Sequence, residues 1–428
     1  MKILLYGINY APELTGIGKY SGEMCEWLTK NGHDVRVICA PPYYPEWQVG
    51  KNYKNWLYKT EQLNNVTLFR CPLFVPKKPT ILTRLVHLLS FSLSSFPVLF
   101  RQWLWKPDIV ICIQPTLFCV PATVLFCKLR GSKSLLHIQD FELDAMLGLG
   151  LYKAGVAARI FGYIERWLMR RFDAISTISY SMVQKAKYKT RQPEKIFYFP
   201  NWVDTNFLTP NADQTLFRKR WDISKSTRVI LYSGNIGKKQ GLEIILQAAD
   251  QLREEPDLLF LLIGTGAAQE ALVRQAEQMQ LPNLRFYPLQ SYNDLPALMA
   301  LADIHLVVQK KGAADSFLPS KLTTILAVGG ECVITTEAHT ELGLLCQEHP
   351  GIARCIEPEN ANILTETLRE MLLNLPLKAP GIYNKVAHQF ALSHLKKDPI
   401  LNRLASLLAQ VSGQVAEPLG ACKTDEII

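Results

Sequence analysis

The sequence predicts an α/β protein of two Rossmann-like, doubly wound domains that face each other, and three features lead to that fold class. Short apolar runs typical of buried parallel strands alternate with segments of helical periodicity. The run VILYSG at residues 229–234 repeats the pattern of ILLYG at residues 3–7, and each run precedes a glycine-containing loop and a helix. A chain of 428 residues is long enough for two domains that each bury a core.

Apolar runs in the first part of the chain predict the strands of a first domain, residues 1–200. They lie at residues 3–6, 35–39, 68–72, 109–114, 135–139, 174–178 and 196–199. The first strand leads into a loop over residues 7–18 and then into a helix that stops at Asn31-Gly32. Because the carboxyl ends of parallel strands share one edge of a sheet, we expect the loops that follow the strands to face the ligand.

The second strand is followed by PPYYPEW at residues 41–47, which is too rich in proline to continue as a strand. Tyr43, Tyr44 and Trp47 in this loop are candidates for stacking on the sugar rings of an acceptor. Local packing of a turn stiffened by proline is the alternative explanation.

Residues 81–105 are apolar on most faces, contain Pro97 and are flanked by lysine and arginine. A helix of this kind suits the surface of an anionic membrane, and it equally suits a buried crossover helix of the first domain. We expect Pro97 to interrupt the helix. Replacement of Leu88, Phe91 and Leu99 by serine, followed by sedimentation with membranes, would distinguish the two cases.

Turn residues and mixed polarity over residues 201–226 predict a linker. A second domain, residues 227–383, follows it, with strands expected at residues 229–232, 258–263, 284–287, 304–308 and 332–335. Residues 384–411 are predicted to form a helix that returns to the first domain, and residues 412–428 a frayed tail. We expect the two domains to face each other across a cleft that holds the ligands.

The stretch YSGNIGKKQGLE at residues 232–243 is the first candidate site. Gly234, Gly237 and Gly241 follow a strand and precede a helix, so that backbone amides at a helix N-terminus can hold a phosphate. Lys238 and Lys239 add positive charge, which favours a diphosphate over a neutral ligand. A tight turn with solvated lysines explains the three glycines alone equally well.

Composition and charge narrow the class of protein. With 48% hydrophobic and 20% charged residues, the chain has the composition of a globular protein, and its net charge of +9 favours anionic partners. Ten scattered cysteines without a C-x-x-C pair predict reduced thiols in a cytosol. The N-terminal residues are typical of a strand rather than of a signal peptide. No stretch of the sequence reaches 18 consecutive apolar residues, so we expect no obvious membrane-spanning helix.

Two glycine loops are also found in dinucleotide-binding oxidoreductases, but the sequence opposes that function. Gly16-Ile17-Gly18 lies about ten residues beyond its strand, and Pro41-Pro42 stands where an acidic residue would hold a ribose. Sugar transfer from a nucleotide diphosphate fits better. Because the chain has no D-x-D triplet to grip a divalent metal, we expect no metal and no other cofactor. Lys238, Lys239, Lys321 and backbone amides would then neutralise the diphosphate.

Longer motifs resemble those of glycosyltransferase family 4, whose members have the GT-B fold, and in particular its colanic acid biosynthesis (fucosyl) transferases. The motifs are YGINYAPELTGIGKYSGEM, GHDVRVICAPPYYPEW, HIQDFELDAMLGLGL, FPNW, LYSGNIGKKQGLE, PLQSYNDLPALMALADIHLVVQKKGAAD and LPSKLTTILAVGG. The resemblance implies sugar transfer, with retention of configuration, from a GDP- or UDP-sugar such as GDP-fucose to a polyprenyl-diphosphate-linked saccharide. Exopolysaccharide assembly of this kind implies a cytoplasmic enzyme on the inner face of the membrane, without a nucleic acid partner.

The resemblance also implies the donor-binding residues. In the family an arginine follows the first glycine of the second loop, and paired glutamates hold the donor sugar and ribose. Here Asn235 replaces the arginine, the glutamate positions fall at Ser316 and Thr324, and Asp315 is the nearest carboxylate. The positions that carry over to donor binding are Gly16, Ile17, Gly18, Gly234, Asn235, Gly237, Lys238, Lys239, Asp315, Ser320, Lys321 and Thr324.

A catalytic centre is expected after the strand that ends near residue 139. The family has a histidine there, and Gln139 occupies its position in this chain. Asp140 is the preferred catalytic residue, because a carboxylate there could orient or deprotonate an acceptor hydroxyl, and Glu142 is the next candidate. His137 lies two positions earlier on the same strand face, where a histidine within an apolar run is more often a core residue than a base.

Two other functions are compatible with the sequence. A nucleotide-sugar 2-epimerase has the same fold but needs several acidic and histidine groups around the sugar, where the second domain offers Asp315 and His339. A non-catalytic anion-binding protein would bind nucleotide but would release no free nucleotide with any acceptor.

Overall fold

Each of the two compact units of the structure is built on one largely parallel sheet. The computed structural model describes residues 1–13, 16–77, 80–115, 117–141, 156–312, 319–376 and 381–414. The first unit consists of Met1–Asn201 and the segment that begins at Asp398, and the second of Trp202–Lys397.

The sheet of the first unit contains eight strands within the described residues. They are β1 (Lys2–Tyr6), β2 (Asp34–Cys39), β3 (Lys59–Leu63), β4 (Val66–Arg70), β5 (Ile109–Gln114), β6 (Lys133–Ile138), β7 (Ala174–Thr177) and β8 (Ile196–Tyr198). Their order is β3-β4-β2-β1-β5-β6-β7-β8, and all neighbours are parallel except β3 and β4. The order reverses between β1 and β5, where this topology opens a crevice at the carboxyl edge.

The second sheet follows the same plan, with six strands in the described part of the chain. They are β9 (Arg228–Ser233), β10 (Leu258–Ile263), β11 (Leu284–Tyr287), β12 (Ile304–Val307), β13 (Glu331–Thr335) and β14 (Arg354–Ile356). The order β11-β10-β9-β12-β13-β14 reverses between β9 and β12. Both sheets therefore confirm the predicted doubly wound fold class.

Helices within the described residues connect the strands of each sheet. Those of the first unit are α1 (Gly16–Lys30), α2 (Ile81–Arg101), α3 (Val120–Arg130), α4 (Val156–Met169) and α5 (Tyr180–Thr190). Those of the second are α6 (Thr215–Arg220), α7 (Glu243–Gln251), α8 (Gln269–Gln278), α9 (Leu295–Leu301), α10 (Ser320–Ala327), α11 (Glu341–Glu348), α12 (Ala361–Asn374) and α13 (Lys385–Phe390). The last helix, α14 (Lys397–Ser412), lies almost wholly in the first unit, where Trp27 Nε1 donates to the Asp398 carboxylate at 2.9 Å.

Two predicted segments differ in structure from the expectation. Residues 201–226, predicted as a linker, contribute Phe217 and Trp221 to a core cluster with residues of β9 and β10. The single helix predicted over residues 384–411 is instead three segments: α13, a π-helical turn (Ala391–Leu395) and α14. Lys396, which lies between the π-helical turn and α14, forms a parallel β-bridge with Val203.

Helix α2 has one buried and one exposed apolar face. Leu88, Phe91 and Leu99 are buried, and Pro97 lies inside the helix without interrupting it, contrary to prediction. The exposed apolar stripe consists of Leu82, Val86, Leu89, Leu93 and Phe96. Among the described residues, this is the one helix long and apolar enough to cross a membrane by length and composition, and 28% of its apolar window is buried.

Candidate active site

Predicted donor residues of the second unit meet where its strand order reverses. Tyr232, in β9, is buried, and its hydroxyl donates to the Asn235 carbonyl at 2.6 Å. The ammonium of Lys321, in the first turn of α10, donates to the Tyr232 hydroxyl at 3.0 Å and lies 4.4 Å from the ring centroid. A Cβ at Gly234 would stand 3.5 Å from Lys321 Nζ, so the ammonium lies directly beside the glycine turn.

A glycine pair that we did not predict, Gly264 and Gly266 after β10, packs against this turn. A side chain on either residue would overlap the backbone carbonyl oxygen of Gly234 or Ile236, respectively. The amides of Gly234 and Ile236 both donate to carbonyls at the end of β10 and just beyond it, at 2.9 Å. These two amides therefore brace the loop. The G-x-G spacing directly after an apolar run is the pattern that marks this second loop.

The remaining lysines of this edge lie on two loops. Lys238 and Lys239 are exposed, and the Lys239 carbonyl accepts from the amide of Lys310 at 3.0 Å. Lys310 follows β12, and its side chain lies beside Gly241. Together with Lys321, these residues surround the reversal point with positive charge.

The other donor candidates are less informative. Asn235 and Ser320 are exposed, Gly237 and Thr324 are half-buried, and the Thr324 hydroxyl donates to the Ser320 carbonyl at 3.1 Å within α10. Asp315 lies outside the described residues.

The reversal point of the first sheet holds a buried carboxylate that the sequence patterns did not reveal. Glu13 is 5% exposed, and its Oε1 accepts from the amides of Tyr43 and Tyr44, both at 3.1 Å. Its Oε2 accepts from Asn9 Nδ2 at 3.0 Å. Burial raises the pKa of the Glu13 carboxyl, although these hydrogen bonds oppose the shift. Glu13 therefore joins the loop after β1 to the loop after β2.

A buried guanidinium connects the same two loops. Arg70, at the end of β4, donates to the carbonyl of Ala11 at 2.6 Å and to that of Ala40 at 3.0 Å. Its Nε donates to Glu61 at 2.9 Å. Because Arg70 is almost fully buried, the geometry of both loops depends on this pair of contacts.

Gly16, Ile17 and Gly18 open α1 instead of ending the loop before it, which corrects the predicted helix start. Gly16 has a φ of 59°, and a Cβ there would lie 3.9 Å from the Tyr44 ring. Gly18 packs against the Glu13 carboxylate so closely that a side chain would collide with it. The second glycine of this motif is therefore explained by the buried carboxylate.

The three aromatic acceptor candidates differ in accessibility. Tyr43 and Trp47 pack on the His87 ring, with centroid distances of 4.7 Å and 5.3 Å, as the local-packing alternative predicts. Tyr44 is 42% exposed beside Gly16. It is the member of the three whose ring is most open to a ligand.

The catalytic candidates in and after β6 differ in burial. His137 is buried, and burial lowers its pKa to about 3, so the imidazole is neutral near pH 7. Gln139 Nε2 lies 3.1 Å from His137 Nε2, and His137 Nδ1 lies 2.9 Å from the Ser176 hydroxyl, so both ring nitrogens are engaged. Asp140 is exposed at the carboxyl edge, and Glu142 lies outside the described residues.

Family models and a curated relative agree on the class of this chain. Residues 15–202 match the glycosyl transferase 4-like domain, and residues 213–385 match glycosyl transferases group 1. WcaI of Escherichia coli K12, which is named as a colanic acid biosynthesis glycosyl transferase, is 52% identical over 408 residues. The alignment covers 94% of this chain and 98% of that protein.

Solved structures with the same fold have low sequence identity. Sucrose-phosphate synthase from Thermosynechococcus elongatus has a TM-score of 0.71 at 13% identity, over 96% of this chain and 99% of that one. Anabaena Alr3699/HepE, solved with UDP-glucose, has a TM-score of 0.65 at 15% identity, over 96% and 100%. The chain therefore belongs to the glycosyltransferases that combine a 4-like domain with a group 1 domain in the GT-B fold.

Proposed function

We propose that this glycosyltransferase moves a sugar from a GDP- or UDP-sugar to a lipid-linked saccharide during assembly of a colanic-acid-like exopolysaccharide. The observation that carries the proposal is the contact of Lys321 with Tyr232 beside Gly234. An ammonium at a glycine turn, at the reversal point of a doubly wound sheet, favours a diphosphate ligand. The name of WcaI supports the pathway, and the UDP-glucose bound to HepE supports the donor class.

Isothermal titration with GDP and UDP tests the donor site. Lys321→Met removes the ammonium but keeps an unbranched side chain, and we expect it to weaken binding by roughly 10- to 100-fold, since a hydrogen bond to a charged group contributes about 1.5–3 kcal/mol. Lys219→Met, at an exposed position on α6 of the same unit, is the matched control. If both variants bound both nucleotides as wild type does, the donor site would be misplaced.

The proposed reaction uses lysines in place of a metal. Within the described residues, no group of three His, Cys, Asp or Glu side chains is placed to hold a metal ion. We expect the transfer rate to be the same in EDTA as in MgCl₂. A rate that fell in EDTA and returned with a divalent cation would contradict this part of the proposal.

Asp140 is the residue to which we assign orientation of the acceptor hydroxyl, since it is exposed at the carboxyl edge of the first sheet. Asp140→Asn should lower turnover by about 100-fold or more, the usual contribution of a positioned acid or base. Asp250→Asn on α7 is the control. We propose transfer with retention, which NMR of the anomeric proton in the product checks.

A lipid-linked acceptor requires an enzyme on the inner face of the cytoplasmic membrane, and we assign the contact surface to the exposed stripe of α2. The helix contains no acidic residue, and Arg84 and Arg101 on it are exposed, which suits anionic lipids. The residues chosen from sequence for the membrane test, Leu88, Phe91 and Leu99, are buried, so their replacement would test folding instead.

The corrected membrane experiment replaces exposed residues. Leu82, Leu89 and Leu93 changed to serine should abolish sedimentation with vesicles that contain phosphatidylglycerol, because the apolar contact area is lost. The matched control changes three exposed leucines of the second unit, Leu289, Leu344 and Leu373, to serine. Equal sedimentation of the two triple variants would rule out α2 as the contact surface.

A further inference from the structure

A cavity in the first unit lies beside the buried guanidinium of Arg70. It has a volume of ≈ 230 Å³, and its lining includes Tyr53, Lys54, Leu57, Tyr58, Lys59 and Arg70. Most of these side chains come from residues 51–59, KNYKNWLYK, which contain three lysines and three aromatic residues but no acid. The cavity therefore combines cations with apolar and aromatic surface.

The positive charge in this cavity is only partly neutralised. Glu61 accepts from Arg70 Nε at 2.9 Å and lies 2.8 Å from Lys59 Nζ, so one carboxylate serves two cations. Within the described residues, Lys54 has no carboxylate at salt-bridge distance, and its ammonium lies 5.3 Å from the Trp56 ring centroid. An anion could enter this cavity without displacing an existing partner of Lys54.

The surroundings of the cavity link the membrane-facing helix to the loops at the carboxyl edge. Tyr58 donates its hydroxyl to the Ser94 carbonyl of α2 at 2.9 Å, and the α2 stripe includes the neighbouring Leu93. On the other side, Arg70 holds the carbonyl of Ala11, two residues before Glu13. Tyr58, which lines the cavity, is 56% exposed, and Trp56, next in sequence to the lining residue Leu57, is 64% exposed. Such side chains favour the boundary between lipid and water.

We propose that this cavity binds the phosphate groups that connect the lipid of the acceptor to its saccharide. The inference rests on the lipid-linked acceptor of the proposed function and deepens it. Lys54 and Lys59 bind the phosphate oxygens, while Trp56, Leu57 and Tyr58 contact the first part of the lipid chain. The saccharide then extends toward Tyr44 and the loop that carries Glu13.

Farnesyl diphosphate, a short and soluble prenyl diphosphate, is the probe for this cavity. We expect Lys54→Ser with Lys59→Ser to raise its dissociation constant at least about tenfold, because two charged hydrogen-bond donors are lost. The matched control, Lys51→Ser with Lys128→Ser, removes the same charge from exposed positions outside the cavity lining and should stay within about twofold of wild type. Lys54→Ser alone, which breaks no ion pair, should give an intermediate effect.

Parallel titrations distinguish a prenyl diphosphate from other sources of phosphate. They also distinguish failure of the cavity inference from failure of the proposed function. Inorganic pyrophosphate and phosphatidylglycerol vesicles should each compete weakly with farnesyl diphosphate, and competition as strong as that of unlabelled farnesyl diphosphate would overturn the lipid assignment. GDP and UDP binding should be the same in both double variants, and an unchanged urea-unfolding transition in each verifies that the first unit is folded. Unchanged farnesyl diphosphate binding in the cavity variant would overturn this inference alone, whereas absence of nucleotide binding in wild type would overturn the proposed function.

Discussion

The reversal points of the two sheets occupy equivalent places in the same topology but are built around different charged side chains, Glu13 at the first and Lys321 at the second. At the first, Glu13 is buried between the loops after β1 and β2, and its partners are neutral amides. At the second, Lys321 lies on Tyr232, with Lys310 on the adjoining loop. In both, a glycine packs closely beside the charged side chain, Gly18 at Glu13 and Gly234 at Lys321.

Under the proposed function, this contrast would let one chain topology serve two ligands. The strand order determines where a crevice forms, and the side chains around the crevice determine what it holds. Positive charge suits the diphosphate of a donor, and a carboxylate-braced loop suits the hydroxyl groups of a saccharide. Replacements at the two edges should therefore affect donor and acceptor separately.

The largest expected effect on stability and binding comes from the basic edge, which is the carboxyl edge of the second sheet around Lys321. Gly264→Ala would bring a methyl group into the Gly234 carbonyl, so the two loops must separate. We expect the second unit to lose about 2–3 kcal/mol of unfolding free energy, as for other overpacked sites, and to lose GDP and UDP binding. Urea unfolding measures the first effect. Gly50→Ala, where the added atom would meet neighbours at 3.5 Å, is the control and should cost less than about 1 kcal/mol.

Replacement of Glu13, at the carboxyl edge of the first sheet, should change the kinetics for the acceptor and leave those for the donor unchanged. Glu13→Ala removes the acceptor of three hydrogen bonds and leaves a cavity, which should cost about 2 kcal/mol and release the loop that carries Tyr44. Steady-state kinetics should show a KM for the acceptor raised by about tenfold, with an unchanged KM for the donor. Glu23→Ala on α1 is the control. A donor KM that rose equally would remove the distinction between the two edges.

The pH dependence of stability sharpens the same contrast. Because the pKa of Glu13 is raised in the folded protein, ionisation costs more in the folded than in the unfolded state. The contribution of Glu13 to the free energy of unfolding is fully present below the pKa that Glu13 has in the unfolded chain. This contribution is lost as the pH rises through the pKa of Glu13 in the folded protein. Glu13→Gln cannot ionise, so the variant should gain stability relative to wild type as pH rises, by at most about 1.4 kcal/mol per pH unit. A difference in unfolding free energy that stayed constant from pH 4.5 to 8 would contradict this.

The smallest effect is expected at the exposed lysines of the basic edge. Lys238→Ala with Lys239→Ala should weaken GDP and UDP binding by roughly threefold to fivefold, since exposed charges are screened by solvent. The reduction should shrink further in 0.5 M NaCl, whereas that of Lys321→Met should persist. A double variant as weak as Lys321→Met would mean that total charge, rather than the contact with Tyr232, decides donor affinity.

The first and last residues of some apolar strands could be predicted from the sequence. The predicted bounds of β5 and β10 are confirmed, because each is one continuous apolar run buried on both faces. Edge strand β3 was missed because its sequence, KTEQL, is polar. The hairpin turn at Asn64 and Asn65, with φ of 50° and 64°, was the available indication of that strand. Helices α3 and α5 and the short strand β14 were also missed.

Candidate site residues were predictable where spacing indicated them. The glycine loop after β9 and the proline-serine-lysine motif led to Gly234 and Lys321, which the structure brings together. Glu13 was missed because its burial depends on amides 30 residues away along the chain, which no local pattern records. His137 was a catalytic candidate for which a core position was the more frequent alternative, and the structure buries it.

The return of α14 to the first unit has a practical consequence for exchanging specificity between related enzymes. Every lysine assigned to the donor lies between residues 202 and 397, the second unit. A chimera intended to adopt another enzyme's nucleotide preference therefore needs two junctions, one after Asn201 and one before Asp398. Fusing everything after Asn201 would also replace α14 and its hydrogen bond to Trp27, and would place a foreign helix on the first unit.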